Sequence, residues 1–245
     1  MDSLVPTLKK AFFPIAEFLY QWRICFYIGI FLILWPLNSN YAPPVLVRIQ
    51  IPGKMWGTLL QTEALLSSIL FFFGILIRML GTGYIGKDTV WGSAMRSDSL
   101  RFDGPYHYLR HPIYAGSFLL LLALSPMCSP AGALFLLLIG GGFTLFLARH
   151  EEKILEGRIP EYKNRMYQIP RFFPRRGFLP FLINEGLPLT LKRWKLTVAS
   201  ERYNLAFGTG FLCFSISFQK KAFWIGFILS FAILLGMTSF QKKPQ

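Results

Sequence analysis

Charge is scarce in these 245 residues: 16% are Asp, Glu, Lys or Arg, against about 25% in an ordinary soluble domain. In its place stand 53% hydrophobic residues, 17% aromatic residues and a mean hydropathy of +0.43. That balance argues against an ordinary soluble domain and for a polytopic membrane protein. Acidic residues are the scarcest charges, 12 against 26 basic, for a net +14. The basic residues lie between apolar runs, the usual source of positive charge in membrane proteins, so the excess does not call for a nucleic-acid partner. Cysteine is nearly absent: Cys25, Cys128 and Cys213 each sit in or beside an apolar run, and none has the CxxC spacing of a zinc site. They read as buried thiols. Repeats and low-complexity segments are lacking too. The opening "MDSLVPTLKKAFFPIAEFLYQWR" has neither an unbroken apolar core nor a small-residue cleavage site, so it does not read as a secretory signal. It reads as an interfacial lead-in, with Tyr20 and Trp22 at headgroup level.

What the chain does have is apolar runs. Six could cross a bilayer: about 20–37, 60–80, 112–128, 131–148, 203–218 and 222–240. The third, fourth and fifth are at or below the roughly 17–25 residues a crossing needs. The fifth is the weakest, short and with two glycines. "CSPAG" joins the third run to the fourth and "QKK" the fifth to the sixth. Links so short force antiparallel neighbours, hence two helical hairpins. Gly140, Gly141 and Gly142 inside the fourth run mark close helix approach in preference to a broken helix. The expected fold is therefore an all-α integral-membrane bundle of about six spans. It divides into an N-terminal part (1–100), a core (101–177) and a C-terminal part (178–245). With six crossings, the basic loops 81–111 and 149–202 fall on one side, as do Lys9, Lys10, Lys242 and Lys243. Arg48, Lys54, Lys220 and Lys221 fall on the other. The heavier side is the cytoplasmic one.

All three histidines sit in two polar clusters that flank the third and fourth runs. "GPYHYLRHPIYAG" (104–116) precedes the pair and "ARHEEKILEGR" (148–158) follows it. A hairpin returns both clusters to one interface, so His107, Arg110, His111 and Tyr114 should meet Arg149, His150, Glu151 and Glu152. Pro112 suits the first turn of a helix and biases His111 towards extended backbone. The open amides of that helix start, with Arg110, suit an anion. The glutamates suit a cation or ribose hydroxyls. S-adenosylmethionine carries a carboxylate, an ammonium group and a ribose. Taken singly, an Arg-His pair is an ordinary positive flank and a Glu pair an ordinary solvated face. A metal site has no standard spacing here. Cysteine catalysis is weaker still, because Cys128 belongs at the far end of the third helix.

The motif, followed by "EEKIL", "PEYKNRM" and "IPRFFP", resembles the isoprenylcysteine carboxyl methyltransferases and the wider integral-membrane phospholipid methyltransferases, over about residues 101–174. The resemblance implies a multi-helix fold that binds S-adenosylmethionine at the cytoplasmic interface. It implies cofactor contacts from Tyr106, Arg110, His111, Pro112, Tyr114, Glu151, Glu152, Tyr162, Pro170 and Arg171. The acceptor would be a lipid or prenylated substrate entering from the bilayer. For catalysis, Arg149 is the candidate partner of a substrate carboxylate, Glu151 or Glu152 of the cofactor's cationic end, and His107, with His150, a group of the kind that titrates near neutrality. No metal is implied. In "LEGRIPEYKNRM", Pro160 and Arg165 depart from the family pattern, so this loop differs in shape. Residues 178–245 are not explained by the resemblance. Membrane sterol-type reductases share an Arg-His-Pro-x-Tyr segment but use a dinucleotide, whose pyrophosphate the Glu pair would repel. A non-enzymatic protein that kept the fold is the remaining alternative.

Overall fold

The computed structural model describes residues 18–20, 22–39, 55–85, 103–158, 162, 164, 168–217 and 219–239. Most of the N-terminal lead-in, the departures at Pro160 and Arg165, and Lys9, Lys10, Arg48, Lys54, Lys87, Arg96, Arg101, Lys242 and Lys243 lie outside them. The described residues hold helices and no strand. In chain order these are α1 (Arg23–Ser39), α2 (Met55–Ile85), α3 (Pro105–Tyr108), α4 (Pro112–Leu124), α5 (Pro130–Phe135) and α6 (Gly141–Arg158). They continue with α7 (Phe178–Phe181), α8 (Leu187–Lys192), α9 (Trp194–Ser217) and α10 (Lys220–Ser239). A π-helical turn, Leu136–Gly140, runs α5 into α6, and another, Leu182–Gly186, runs α7 into α8.

Among the described residues, two helical stretches are long and apolar enough to cross a membrane, Thr58–Ile85 and Pro130–Gly157, each 28 residues. Pro112–Met127 and Lys221–Met237 are shorter apolar helices. The weak fifth run belongs to a longer helix than its sequence suggests, since α9 begins at Trp194. Large exposed apolar side chains such as Leu32, Ile69, Leu138, Ile228 and Ile233 stud the outside. So much exposed apolar surface fits contact with lipid rather than with water.

Both hairpins form. After α4, a 3-10 turn (Ser125–Met127) and the Ser129 cap reverse the chain: the Ser129 hydroxyl accepts from the Gly132 amide at 3.1 Å, with Pro130 at the first helical position. Two of the three glycines of the fourth run mark a close approach, and Gly142 faces open space. A Cβ on Gly140 would come within 3.1 Å of Leu121, and one on Gly141 within 3.1 Å of Phe118. A π turn ends at the same place, so close approach and a local irregularity coincide there. The second hairpin, α9–α10, is zipped by rings, Tyr203 on Phe231 and Phe207 on Phe223. It attaches to α2 through Ser215, whose hydroxyl meets that of Ser68 at 2.8 Å. The tightest crossing joins α2 to α4, where a Cβ on Gly116 would lie 2.5 Å from the Gly74 carbonyl oxygen. Small residues there let two backbones touch, and that contact sets where α4 begins.

Candidate active site

Three pieces of chain meet at the start of α4. His111 takes the N-cap position at φ −128°, ψ 71°, outside the helical region, and Pro112 starts the helix. The strand-like approach to it is pinned from outside. The Arg110 amide donates to the Pro170 carbonyl at 2.9 Å, the His111 amide to the Arg171 carbonyl at 3.3 Å, and the Arg175 amide to the Tyr108 carbonyl at 3.0 Å. The Arg110 guanidinium adds two bonds to the Ile169 carbonyl, from Nε at 3.2 Å and Nη2 at 2.8 Å. The loop after α6 therefore folds back onto the motif before α4.

Glu152 is the hub of this meeting. It is 4% exposed and reaches in from α6. Its Oε1 accepts from Arg110 Nη1 at 2.7 Å, His111 Nε2 at 3.0 Å and Arg171 Nε at 3.0 Å. Its Oε2 accepts from Arg171 Nη2 at 2.6 Å. A carboxylate only accepts, so the geometry places a proton on His111 Nε2. Three cationic or polar donors from two distant loops thus close on one buried carboxylate. Such a network tolerates no partial loss, because each partner left behind would be a buried, unpaired charge.

Glu151, the next residue, has a different setting. It forms no ion pair among the described residues. Its negative charge bears on the phenols of Tyr106 and Tyr162. Burial holds the Tyr106 and Tyr162 phenols well above the ordinary tyrosine range, and nearby carboxylates push the same way: Glu151 for Tyr106, Glu152 and Glu151 for Tyr162. These phenols are neutral at physiological pH. Tyr106 donates a long bond, 3.4 Å, to the Gly81 carbonyl, and the Tyr114 ring leans on His111.

The structure therefore brings together Tyr106, Arg110, His111, Pro112, Tyr114, Glu151, Glu152, Tyr162, Pro170 and Arg171. It does not bring Arg149 or His107 to the hub. Arg149 is exposed on α6. His107 is exposed and sets its ring against Tyr108, 5.0 Å away. Arg110 is not open to an anion either, being spent on Glu152 and Ile169. Two tyrosines escaped the sequence reading. Tyr20, assigned there to the headgroup level, is 7% exposed and packs beside His150, and Tyr27 bonds Thr144 at 2.8 Å. Their signal was present as aromatic residues at the start of the first apolar run.

Comparison with known proteins gives a partial family match. Residues 62–159 match the phospholipid methyltransferase family. The matched segment carries most of α2, the motif, the hairpin and both glutamates, whereas Tyr162, Pro170 and Arg171 lie beyond it. Methyl transfer is the chemistry in the family's name, and the two long apolar helices fit its membrane setting. The cobalt-zinc-cadmium resistance protein CzcN of Cupriavidus metallidurans is 27% identical over 149 residues, 58% of this chain and 64% of that protein. The chain thus spans less than two thirds of that relative's length. No solved structure matches.

Proposed function

We propose that the chain transfers a methyl group from S-adenosylmethionine to a lipid-like or prenylated substrate within the membrane, at a cytoplasmic-facing site. The observation that carries this reading is Glu151: a carboxylate with no ion pair among the described residues, next in the chain to the Glu152 hub, its charge bearing on the phenols of Tyr106 and Tyr162. A carboxylate and aromatic faces suit an onium cation. The fit is thus with a sulfonium donor, and poor with a pyrophosphate, which disfavours the dinucleotide-dependent alternative. When bound, S-adenosylmethionine would supply an electrophilic methyl group on a cationic sulfur.

The chain's own residues do the rest by positioning, the main requirement of an in-line displacement. Glu151, Tyr106, Tyr114 and Tyr162 would hold the cofactor's cationic part. Glu152 would hold Arg110, His111 and Arg171 in place, closing the loop of Ile169–Arg171 over the motif and excluding water. Neutral phenols add polarity without adding a charge. A lipid-like substrate would bring its tail in from the bilayer side of the site.

Carboxyl O-methylation is the acceptor chemistry the motif resemblance favours, and it needs no base. N-methylation of an amine is the second reading, and electrostatics favours it. Arg110, His111 and Arg171 are all spent on Glu152, and the open charge is that of Glu151, which can accept a proton from an amine. Incubation of purified protein in membranes with a methyl-labelled donor, then lipid extraction and base treatment, tests the proposal. Lipid-bound label is expected; its release as methanol marks an ester and its retention an amine. Lipids that stay unlabelled while the protein remains folded would overturn it.

A further inference from the structure

Arg78 stands inside the apolar run "FFFGILIRML" on α2, a costly place for a guanidinium. Its Nε donates to Glu201 Oε2 of α9 at 2.8 Å, and its Nη1 donates to the Ser117 hydroxyl and, at 3.5 Å, to the Ile113 carbonyl, both on α4. Asn204 donates to the same Glu201 oxygen at 2.6 Å. The pair is shut away, with side-chain exposures of 14% for Arg78 and 0% for Glu201. Glu201 Oε1 has no hydrogen-bond partner among the described residues. Stability alone does not account for this arrangement. A buried ion pair is commonly no better than two apolar residues of similar size, and an unsatisfied carboxylate oxygen adds a cost.

The partners explain the retention. Ile113 and Ser117 belong to the first turns of α4, which begin directly after Arg110 and His111. Gly116 lets Arg78 come this close: a Cβ there would lie 2.5 Å from Arg78 Cγ. Arg78, Ile113 and Ser117 fall within the family match at 62–159, but Glu201 does not. It comes from the C-terminal hairpin that the family resemblance leaves unexplained.

We propose that Glu201 is a positioning residue: by fixing Arg78 it holds the first turns of α4, and through them the Arg110–His111 segment that builds the Glu152 hub. The C-terminal hairpin is then part of the working unit rather than a lipid anchor. The inference goes beyond the methyl-transfer reading and does not depend on it, because its readout is backbone exchange.

The test is amide hydrogen exchange on the full chain in detergent or nanodiscs, for wild type, Glu201→Ala, Glu201→Gln and the double variant Arg78→Met/Glu201→Met. Glu201→Ala should speed exchange across residues 108–117 about tenfold while leaving the α5–α6 rod unchanged. Glu201→Gln keeps an acceptor for Arg78 Nε but not the counter-charge, so its exchange over 108–117 should lie between wild type and Glu201→Ala. The double variant leaves no orphaned charge, so it should keep the wild-type melting temperature and still exchange fast over 108–117. It also carries the test if Glu201→Ala does not fold. Wild-type exchange at 108–117 in the double variant would overturn the proposal, as would a uniform acceleration across every helix in Glu201→Ala.

Discussion

At the scale of single residues, adjacent glutamates on one helix have separate jobs because their surroundings differ. Glu152 is saturated by Arg110, His111 and Arg171, so it works on the protein. Glu151 makes no ion pair among the described residues, so its charge is left to work on a ligand. Removing the first should therefore cost stability and removing the second should cost binding. Glu152→Ala strands its partners and should destabilise by about 3–5 kcal/mol, the usual result of breaking a buried pair; a melting curve in detergent reads this. Glu151→Gln should melt as wild type does and lose affinity for the cofactor in calorimetry. Alkaline pH gives a second readout. The folded-state phenols of Tyr106 and Tyr162 lie above their unfolded value of 10.0. The stability they contribute is complete below that pH and is lost as pH rises towards the folded values. The melting temperature should thus fall above pH 10, and Tyr106→Phe or Tyr162→Phe should shallow that fall. An alkaline limb of the same steepness in both variants would contradict the assignment of buried, neutral phenols.

Among elements, the decisive contact is the crossing of α2 and α4. Gly116→Ala puts a methyl group 2.5 Å from the Gly74 carbonyl oxygen and from Arg78 Cγ, and the backbone atom cannot swing aside. Folded yield should drop sharply and the melting temperature with it. Gly142→Ala is the control: its Cβ meets nothing within 4 Å, and alanine is the better helix former by about 1 kcal/mol. It should be neutral or slightly stabilising. This scale also explains what could be read from the sequence. A short link between two apolar runs required the α4–α6 hairpin, and the hairpin required Arg110 and His111 to meet Glu152. Pro112 announced the helix start. Helical phase was the missing ingredient for Arg149. Ala148 and Glu152, four residues apart, share the buried face, whereas Arg149 sits about 100° round the helix and is exposed. The pairing of Arg78 with Glu201 was illegible for another reason. Its halves lie far apart in sequence, and only the docking of α9 onto α2 makes them neighbours.

Across the whole molecule, a helical core that holds the site is braced by a hairpin from outside the family match. Of the about six spans expected, the described residues hold two helices long and apolar enough to cross, and two shorter apolar helices. Hydropathy alone treats each run separately. In the folded chain Pro112–Met127 is bounded by the motif at one end and a tight turn at the other. The central claim is that the folded-back hairpin and closing loop make one receptor for a cationic methyl donor. Titration calorimetry of the purified protein with S-adenosylmethionine, and separately with a reduced nicotinamide dinucleotide, tests it most directly. The account predicts binding of the sulfonium, its loss in the stably folded Glu151→Gln, and no heat from the dinucleotide. Tight dinucleotide binding, or undiminished sulfonium binding in Glu151→Gln, would contradict it.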